Sequence, residues 1–419
     1  MEKIEITVPG SKSYTHRLMI GSALSDGICT IENALDSEDT CLTINALKKL
    51  GILISKTRGK TVVCGNRGVF KEFPEPIRLG NSGTSMRFLT ALLGLGQGKY
   101  TLTGTKQMCM RPVEDLLDGL RQIRVKARSV NGDGSPPVEI TGRKIQGGRV
   151  SIAGNKSSQF ISAILMIGPL TQNKIEIIAK DEPVSKPYID MTLNIMKMFG
   201  IQTKREGYKK FVVPGNQTYM HGSYIAEPDC SNAGYFWAAA ALTRSYVKVK
   251  GISPYTRQGD VGFVNILKTM GCNTFYHTDG IAVSGGPLSG ISVDMADMPD
   301  IVPTLAVVAA FAKGATVIKN IMHIKAKESD RVAAVIKELS KMNIQAFHTK
   351  SDLIIKGGTP QPAEIDTYND HRIAMSFAIA GLVTPGMVIR DKKCVAKSFP
   401  NFWDVFEKLK TETRKIKKR

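Results

Sequence analysis

Several apolar segments of this chain open on cations, at the end of a helix where acids are favoured. Lys12 and Arg17 flank Ser-Tyr-Thr-His, Arg87 follows Asn-Ser-Gly-Thr, Lys156 precedes Ser-Ser-Gln-Phe, and Arg372 follows Asn-Asp-His. A helix N-terminus carries unpaired N–H groups and positive partial charge, so a cation there is locally unfavourable unless an anion sits in front of it. A solvated surface cation explains any one case, but four related cases weaken that explanation. The neighbouring residues suit oxyanions too: GNSGT and GNKSSQ join glycine, which lets a ligand approach the backbone, to hydroxyl and amide donors. Asp300 in MPDIVP reads as an N-cap or as a general base, and Lys327, Glu328 and Arg331 in KAKESDR read locally as a cap with an ion pair.

The elements that must position these groups recur. Six segments rich in Ala, Leu, Ile and Gly begin at Ser13, Thr84, Ser158, Asn232, Asp300 and Arg372, roughly 70 residues apart. Each is apolar on nearly every face and ends near Gly or Pro, which predicts a buried helix with a stop signal. Each is followed by an amphipathic segment, such as PVEDLLDGLRQIRV or SDRVAAVIKELSKMNI, with acids early and basic residues late. Runs such as TVVCG, GRVSIAG, KFVVPG and LIIKGG read as strands ended by Gly. The unit is mixed α and β, and six copies fill the chain. Three copies per lobe predict an N-terminal lobe over 12–227 and a C-terminal lobe over 1–11 and 228–419, because the strand IEITV precedes the first buried helix and can pair with the far lobe. The hinge is then expected near 9–12 and 227–228. A continuous solenoid would need polar end caps, which neither end offers.

Composition narrows the function classes. A chain of 419 residues, 42% hydrophobic, is too long for one core and apolar enough to fold. No apolar run approaches the roughly 18 to 20 residues that cross a bilayer, and MEKIEITVPGSK lacks the pattern of a signal peptide, so a cytoplasmic protein without a membrane partner is expected. The net charge of +20 admits nucleic acid, acidic lipid or small anions as partners. The tail KTETRKIKKR, 410–419, is expected to be a solvated, partly disordered end. Elsewhere the basic residues stand singly within motifs, without aromatic interleaving, which sets nucleic acid aside. The seven cysteines are scattered with no CxxC, which argues against a disulfide framework and against zinc. Cys109 in QMCMRP is a candidate nucleophile, although a small buried residue is the more economical reading.

The motifs SKSYTHR, GNSGTSMR, MRPVEDL, SSQF, SKPYID, KESDR, YNDHR and AKSFP stand in the order and spacing of the 5-enolpyruvylshikimate-3-phosphate synthase family. The resemblance covers essentially the whole chain. It implies an α/β, two-domain enolpyruvyl transferase fold of six βαβαββ-like repeats, three per domain, with the active site in the interdomain cleft. It implies transfer of the enolpyruvyl group of phosphoenolpyruvate to the 5-hydroxyl of shikimate 3-phosphate, with release of phosphate, in the route to aromatic amino acids. A monomer is expected, with no metal or organic cofactor, since Arg and Lys can stabilise the developing charge.

Carried over motif by motif, the resemblance assigns shikimate 3-phosphate to Lys12, Ser13, Arg17, Ser157, Ser158, Gln159, Ser185, Tyr188, Asp300, His323 and Lys327. It assigns phosphoenolpyruvate to Lys12, Asn81, Gly83, Arg111, Gln159, Glu328, Arg331, His371, Arg372 and Lys397. Asp300 is expected as the base toward the 5-hydroxyl and Glu328 as the acid at the methylene carbon, with Lys12 sharing in proton transfer. Two positions depart from the family pattern. His323 stands where several relatives have Asn, and Phe88 where many have Pro, a change expected to tilt the helix start at Gly83. Because Gly83 lacks a Cβ, the donor pocket should admit glyphosate as a competitor of phosphoenolpyruvate. The nearest alternative, UDP-N-acetylglucosamine enolpyruvyl transferase, shares fold and donor but uses a loop cysteine before RPV; Cys109 lies too close to Arg111 for that loop. A basic nucleic-acid-binding repeat protein would explain the charge, but not Asp300 and Glu328.

Overall fold

The computed structural model describes residues 3–57 and 59–418. The chain divides into two compact units, one of Gly10–Ala226 and the other of Met1–Pro9 with Glu227–Arg419. The first holds α1 (Lys12–Leu24), α2 (Glu38–Lys49), α3 (Gly83–Leu92), α4 (Glu114–Gln122), α5 (Ser158–Ile167) and α6 (Lys186–Met198). The second holds α7 (Cys230–Thr243), α8 (Phe263–Thr269), α9 (Val302–Ala310), α10 (Arg331–Lys341), α11 (His371–Ala380) and α12 (Phe402–Lys418).

Odd-numbered and even-numbered helices differ as the hydrophobic patterning demands. α1 buries every residue from Tyr14 to Leu24, and α9 buries its whole length. A helix this apolar all round is stable only inside a core. By contrast, α4 buries Leu116, Leu117 and Leu120 on one side and keeps Glu114 and Asp115 in its first turn and Arg121 in its last, which suits the helix dipole. Each unit has its own core: Leu18, Leu89, Phe160 and Ile164 belong to the first, and Trp237, Leu305, Val335 and Ile373 to the second. Burying each such side chain contributes about 1.5–3 kcal/mol.

The repeat is plainest at its second copy. There the strand Ile77–Arg78 leads into α3, the strand Gly98–Thr103 follows, and after α4 come the strands Lys126–Ser129 and Val138–Gly142. The strands flanking the buried helix pair in parallel, Ile77 opposite Leu102, as a helical crossover allows, and the last two add antiparallel. Among the described residues, five four-stranded sheets follow this order. The sixth sheet has only the parallel pair Glu364–Ile365 with Val388–Ile389. The first repeat of each unit borrows its parallel strand from far along the chain. Ser223–Ile225 pairs with Ile28–Glu32, and Lys3–Ile6 pairs with Tyr246–Lys250.

Two expectations change. The basic tail is no loose end: α12 continues to Lys418, with Leu409 fully buried and Thr413 nearly so, because the sequence keeps an apolar stripe among its charges. Arg419, and Met1 and Glu2 of the N-terminal pattern, lie outside the described residues. Phe88 leaves the start of α3 regular. Ser82 caps the helix, accepting from the Ser85 N–H, and the Phe88 ring is buried with the Arg17 guanidinium 5.0 Å from its centroid. Among the described residues no helix is long and apolar enough to cross a membrane.

Candidate active site

In the Gly10–Ala226 unit the candidate residues gather at the N-termini of the buried helices, tied by side-chain bonds between helices. Arg17 is 1% exposed, and donates from Nε to Thr192 Oγ1 (2.7 Å), from Nη1 to the Ser13 carbonyl (3.0 Å) and from Nη2 to the Tyr188 carbonyl (3.2 Å). The bonds to Thr192 and Tyr188 lock α1 to α6, and burial lowers the Arg17 pKa to about 10, which leaves it a cation at neutral pH. Ser185 stands at the N-cap of α6, where its backbone carbonyl accepts from the Tyr188 N–H (3.1 Å). α3 and α5 are joined by Gln159, whose Oε1 accepts from Arg87 (2.7 Å) and whose Nε2 donates to Thr84 (3.1 Å). Ser157 caps α5 and Ser158 begins it.

Arg111 reaches back to the start of α3, donating to the Asn81 carbonyl (3.3 Å), and Asn81 Nδ2 donates to Gln107 (2.8 Å). Gly83 leaves room for this approach. A Cβ built there would stand 2.7 Å from Arg111 Nη2 and 2.9 Å from its Cζ, closer than side chains tolerate. Lys12 lies 3.1 Å from Asp39 Oδ2, which the first turn of α2 presents.

The other unit carries a denser constellation. Arg331, the first residue of α10 and 1% exposed, donates to three carboxylates: Nη1 to Asp300 (2.9 Å), Nη2 to Glu328 (2.8 Å), and Nε to Asp370 (2.8 Å), with Nη2 also reaching Asp370 (3.2 Å). Arg372 donates from Nη2 to Asp300 (3.1 Å) and from Nη1 to the Tyr235 hydroxyl (3.2 Å), and Lys327 Nζ is 3.9 Å from Asp300. Asp370 also caps α11, accepting from the Arg372 N–H (2.9 Å), and the His371 ring lies 3.8 Å from it. Burial opposes the charge on Asp300, but Arg372, Lys327 and Arg331 outweigh it and hold the carboxyl well below its usual range. Burial, reinforced by Lys327, lowers the His323 pKa to about 4, so its imidazole is neutral at pH 7. Lys397 is nearly buried at the end of the turn Lys392–Lys397.

Asp300 is not the N-cap of α9, which begins at Val302 with Ile301 before it, so the bland local reading fails there. In KAKESDR the bland reading holds in part: Asp330 caps α10, accepting from Val332 and Ala333, while Arg331 pairs with Glu328. The helix-start cations already have polar partners within the protein. Lys12 meets Asp39, Arg331 and Arg372 meet carboxylates, Arg87 meets Gln159, and Lys156 makes an exposed pair with Asp115 (2.8 Å). Asp39, Asp370, Thr192 and Gln107 were not singled out in the sequence. Asp370 has a local signal, a carboxylate before a helix, but its partner Arg331 lies in another motif and only folding reveals the pair. Cys109 Sγ lies 3.9 Å from Thr103 Oγ1, and among the described residues no cluster of three or more His, Cys, Asp or Glu could hold a metal.

Two units of three βαβαββ-like repeats, with cations and carboxylates at the starts of their buried helices, define the class of enolpyruvyl transferase folds. The solved structure of EPSP synthase from Acinetobacter baumannii aligns with a TM-score of 0.81 at 28% identity, covering 97% of this chain and 95% of that one. The profile of EPSP synthase (3-phosphoshikimate 1-carboxyvinyltransferase) matches residues 3–406. The 3-phosphoshikimate 1-carboxyvinyltransferase of Syntrophobacter fumaroxidans is 40% identical over 412 residues, covering 98% of this chain and 97% of that protein. That of a Sulfurovum species is 41% identical over 414 residues, covering 97% and 96%. This chain belongs to the EPSP synthase family.

Proposed function

We propose that this chain transfers the enolpyruvyl group of phosphoenolpyruvate to the 5-hydroxyl of shikimate 3-phosphate and releases phosphate, as a cytoplasmic, monomeric enzyme of aromatic amino acid biosynthesis. The observation that carries the reading is the cluster in which Asp300 and Glu328 share Arg331, with Arg372 on the other oxygen of Asp300. Two proton-transfer groups beside two guanidinium forks match a reaction that needs a base, an acid and a site for a carboxylate and a phosphate.

In the proposed sequence Asp300 takes the proton of the 5-hydroxyl as its oxygen bonds to C2 of phosphoenolpyruvate. Glu328 delivers a proton to the methylene carbon, giving a tetrahedral intermediate. Glu328 then removes a proton from the new methyl group, the double bond re-forms, and the bond from C2 to the phosphate oxygen breaks as the departing phosphate takes up the proton that Asp300 holds. Arg111, Arg331, Arg372 and Lys397 hold the donor's charges, while Arg17, Ser157, Ser158, Gln159, Ser185, Tyr188, His323 and Lys327 hold the acceptor, with Lys12, Ser13, Asn81, Gly83 and His371 beside them. A base paired with two arginines is a weak base. Donor oxyanions that take over N–H groups of Arg331 and Arg372 loosen that hold and strengthen Asp300 for its task.

The crossings near 9–12 and 227–228 are the proposed hinge; small-angle scattering with and without both substrates tests it. The function itself is tested by phosphate release with phosphoenolpyruvate and either shikimate 3-phosphate or UDP-N-acetylglucosamine. Release with the first acceptor alone supports the reading, and release with the second alone overturns it.

A further inference from the structure

The motif Tyr368-Asn369-Asp370-His371-Arg372 enters the reaction through its last three residues, yet its first two have the least ordinary backbone. Tyr368 and Asn369 both lie in the left-handed region, with φ of 54° and 53°. Two consecutive non-glycine residues in that region are costly and persist only where surrounding contacts over-determine them. Those contacts converge on Glu338, a carboxylate with no exposed surface that no step of the reaction uses. Its Oε1 accepts from the Tyr368 hydroxyl (2.5 Å), and its Oε2 accepts from the Asp366 N–H (3.0 Å) and from Lys341 Nζ (2.7 Å). Lys341 returns to the same loop, donating to Asp366 Oδ2 (2.8 Å) and to the Glu364 carbonyl (3.2 Å).

Glu338 stands seven residues after Arg331 on α10, two turns along the same face. The helix is therefore clamped to the loop at two points. One is the Arg331–Asp370 pair and the other the Glu338–Tyr368 bond, with the strained residues between them. Asp370 in turn fixes the backbone N–H of Arg372 and the hydroxyl of Ser329 (2.9 Å). We infer that Tyr368 and Glu338 are positioning residues that set where Arg331 and Arg372 stand, and so tune recognition of the anionic donor by an enzyme whose acceptor is bound largely elsewhere. This rests on the proposed donor site.

The test is Tyr368→Phe, which removes one hydroxyl, together with Glu338→Gln and Glu338→Ala. Phosphoenolpyruvate affinity is measured by calorimetry without shikimate 3-phosphate, so that no turnover occurs, and KM for each substrate by phosphate release. Losing a buried bond to a charged acceptor should weaken donor binding about ten-fold in Tyr368→Phe, raise the donor KM alike and leave the acceptor KM within two-fold. Glu338→Gln keeps one acceptor for Tyr368 and should fall between wild type and Glu338→Ala. Variants that melt earlier but keep wild-type donor affinity and KM would reduce the brace to a structural role and overturn the inference. Donor and acceptor constants worsening equally would overturn it too. A wild type that binds the donor without turning over would count against the proposed function, while the brace would still be judged on donor affinity.

Discussion

Asp300 accepts from Arg331 and Arg372 at once, so replacing it changes both a proposed proton-transfer group and the partner of two arginines. Asp300→Asn and Glu328→Gln keep shape, and each should lower kcat by about 10²–10⁴, the usual worth of a positioned acid or base, with a much smaller change in donor affinity. Rapid-quench turnover beside equilibrium binding checks this, and a variant with near wild-type kcat loses its assigned role. Gly83→Ala should spare stability, since only the flexible end of Arg111 must move, but displace the guanidinium proposed to hold the donor. We expect its donor KM to rise and competitive inhibition by glyphosate to weaken relative to wild type; equal inhibition of both would remove Gly83 from the pocket. His323 gives a pH signature. Its folded pKa of about 4 lies below the ordinary value near 6.5, so between these the unfolded chain binds a proton that the folded chain does not. Stability relative to His323→Asn should therefore rise from pH 4 to 6.5 and level off above, read as urea midpoints; parallel profiles would contradict it. The cations and carboxylates themselves were legible because their types recur at helix starts. Their partners were not, since Asp39 to Lys12 and Asp370 to Arg331 are long-range pairs that no local pattern encodes.

At the scale of elements, the alternation of all-apolar and amphipathic helices follows directly from hydrophobic periodicity, because burial on all sides or on one side writes different patterns. Boundaries were less legible. The apolar pattern begins at Asp300, yet Met295 to Ile301 forms turns closed by bonds such as Ile301 N–H to the Met298 carbonyl (3.2 Å), and α9 starts only at Val302. The end of α12 was obscured by its charges, which mask Leu409 and Thr413 on the inward face. Leu409→Ala should therefore cost about 2–5 kcal/mol, as expected of a buried leucine, measured by denaturant unfolding. A loss below about 0.5 kcal/mol would mean the helix end is not packed there, as for an ordinary surface change.

For the whole molecule, the sixfold period was readable because each repeat buries one apolar helix, although α7 ends on Arg244 in the left-handed region (φ 55°) and not at Gly or Pro. The truncated sixth sheet was not, since its missing hairpin leaves the helix pattern untouched. In the proposed mechanism the repeats serve addition of an alcohol across the donor's double bond followed by elimination of phosphate. That sequence makes the methylene carbon a methyl group for the lifetime of one intermediate. The most direct test is to run wild-type enzyme with phosphoenolpyruvate and shikimate 3-phosphate in D2O and examine the product by NMR. The account predicts an enolpyruvyl ether carrying solvent deuterium in its vinyl CH2, with one phosphate released per ether formed. Absence of product, or a product whose vinyl group carries no deuterium, would contradict it.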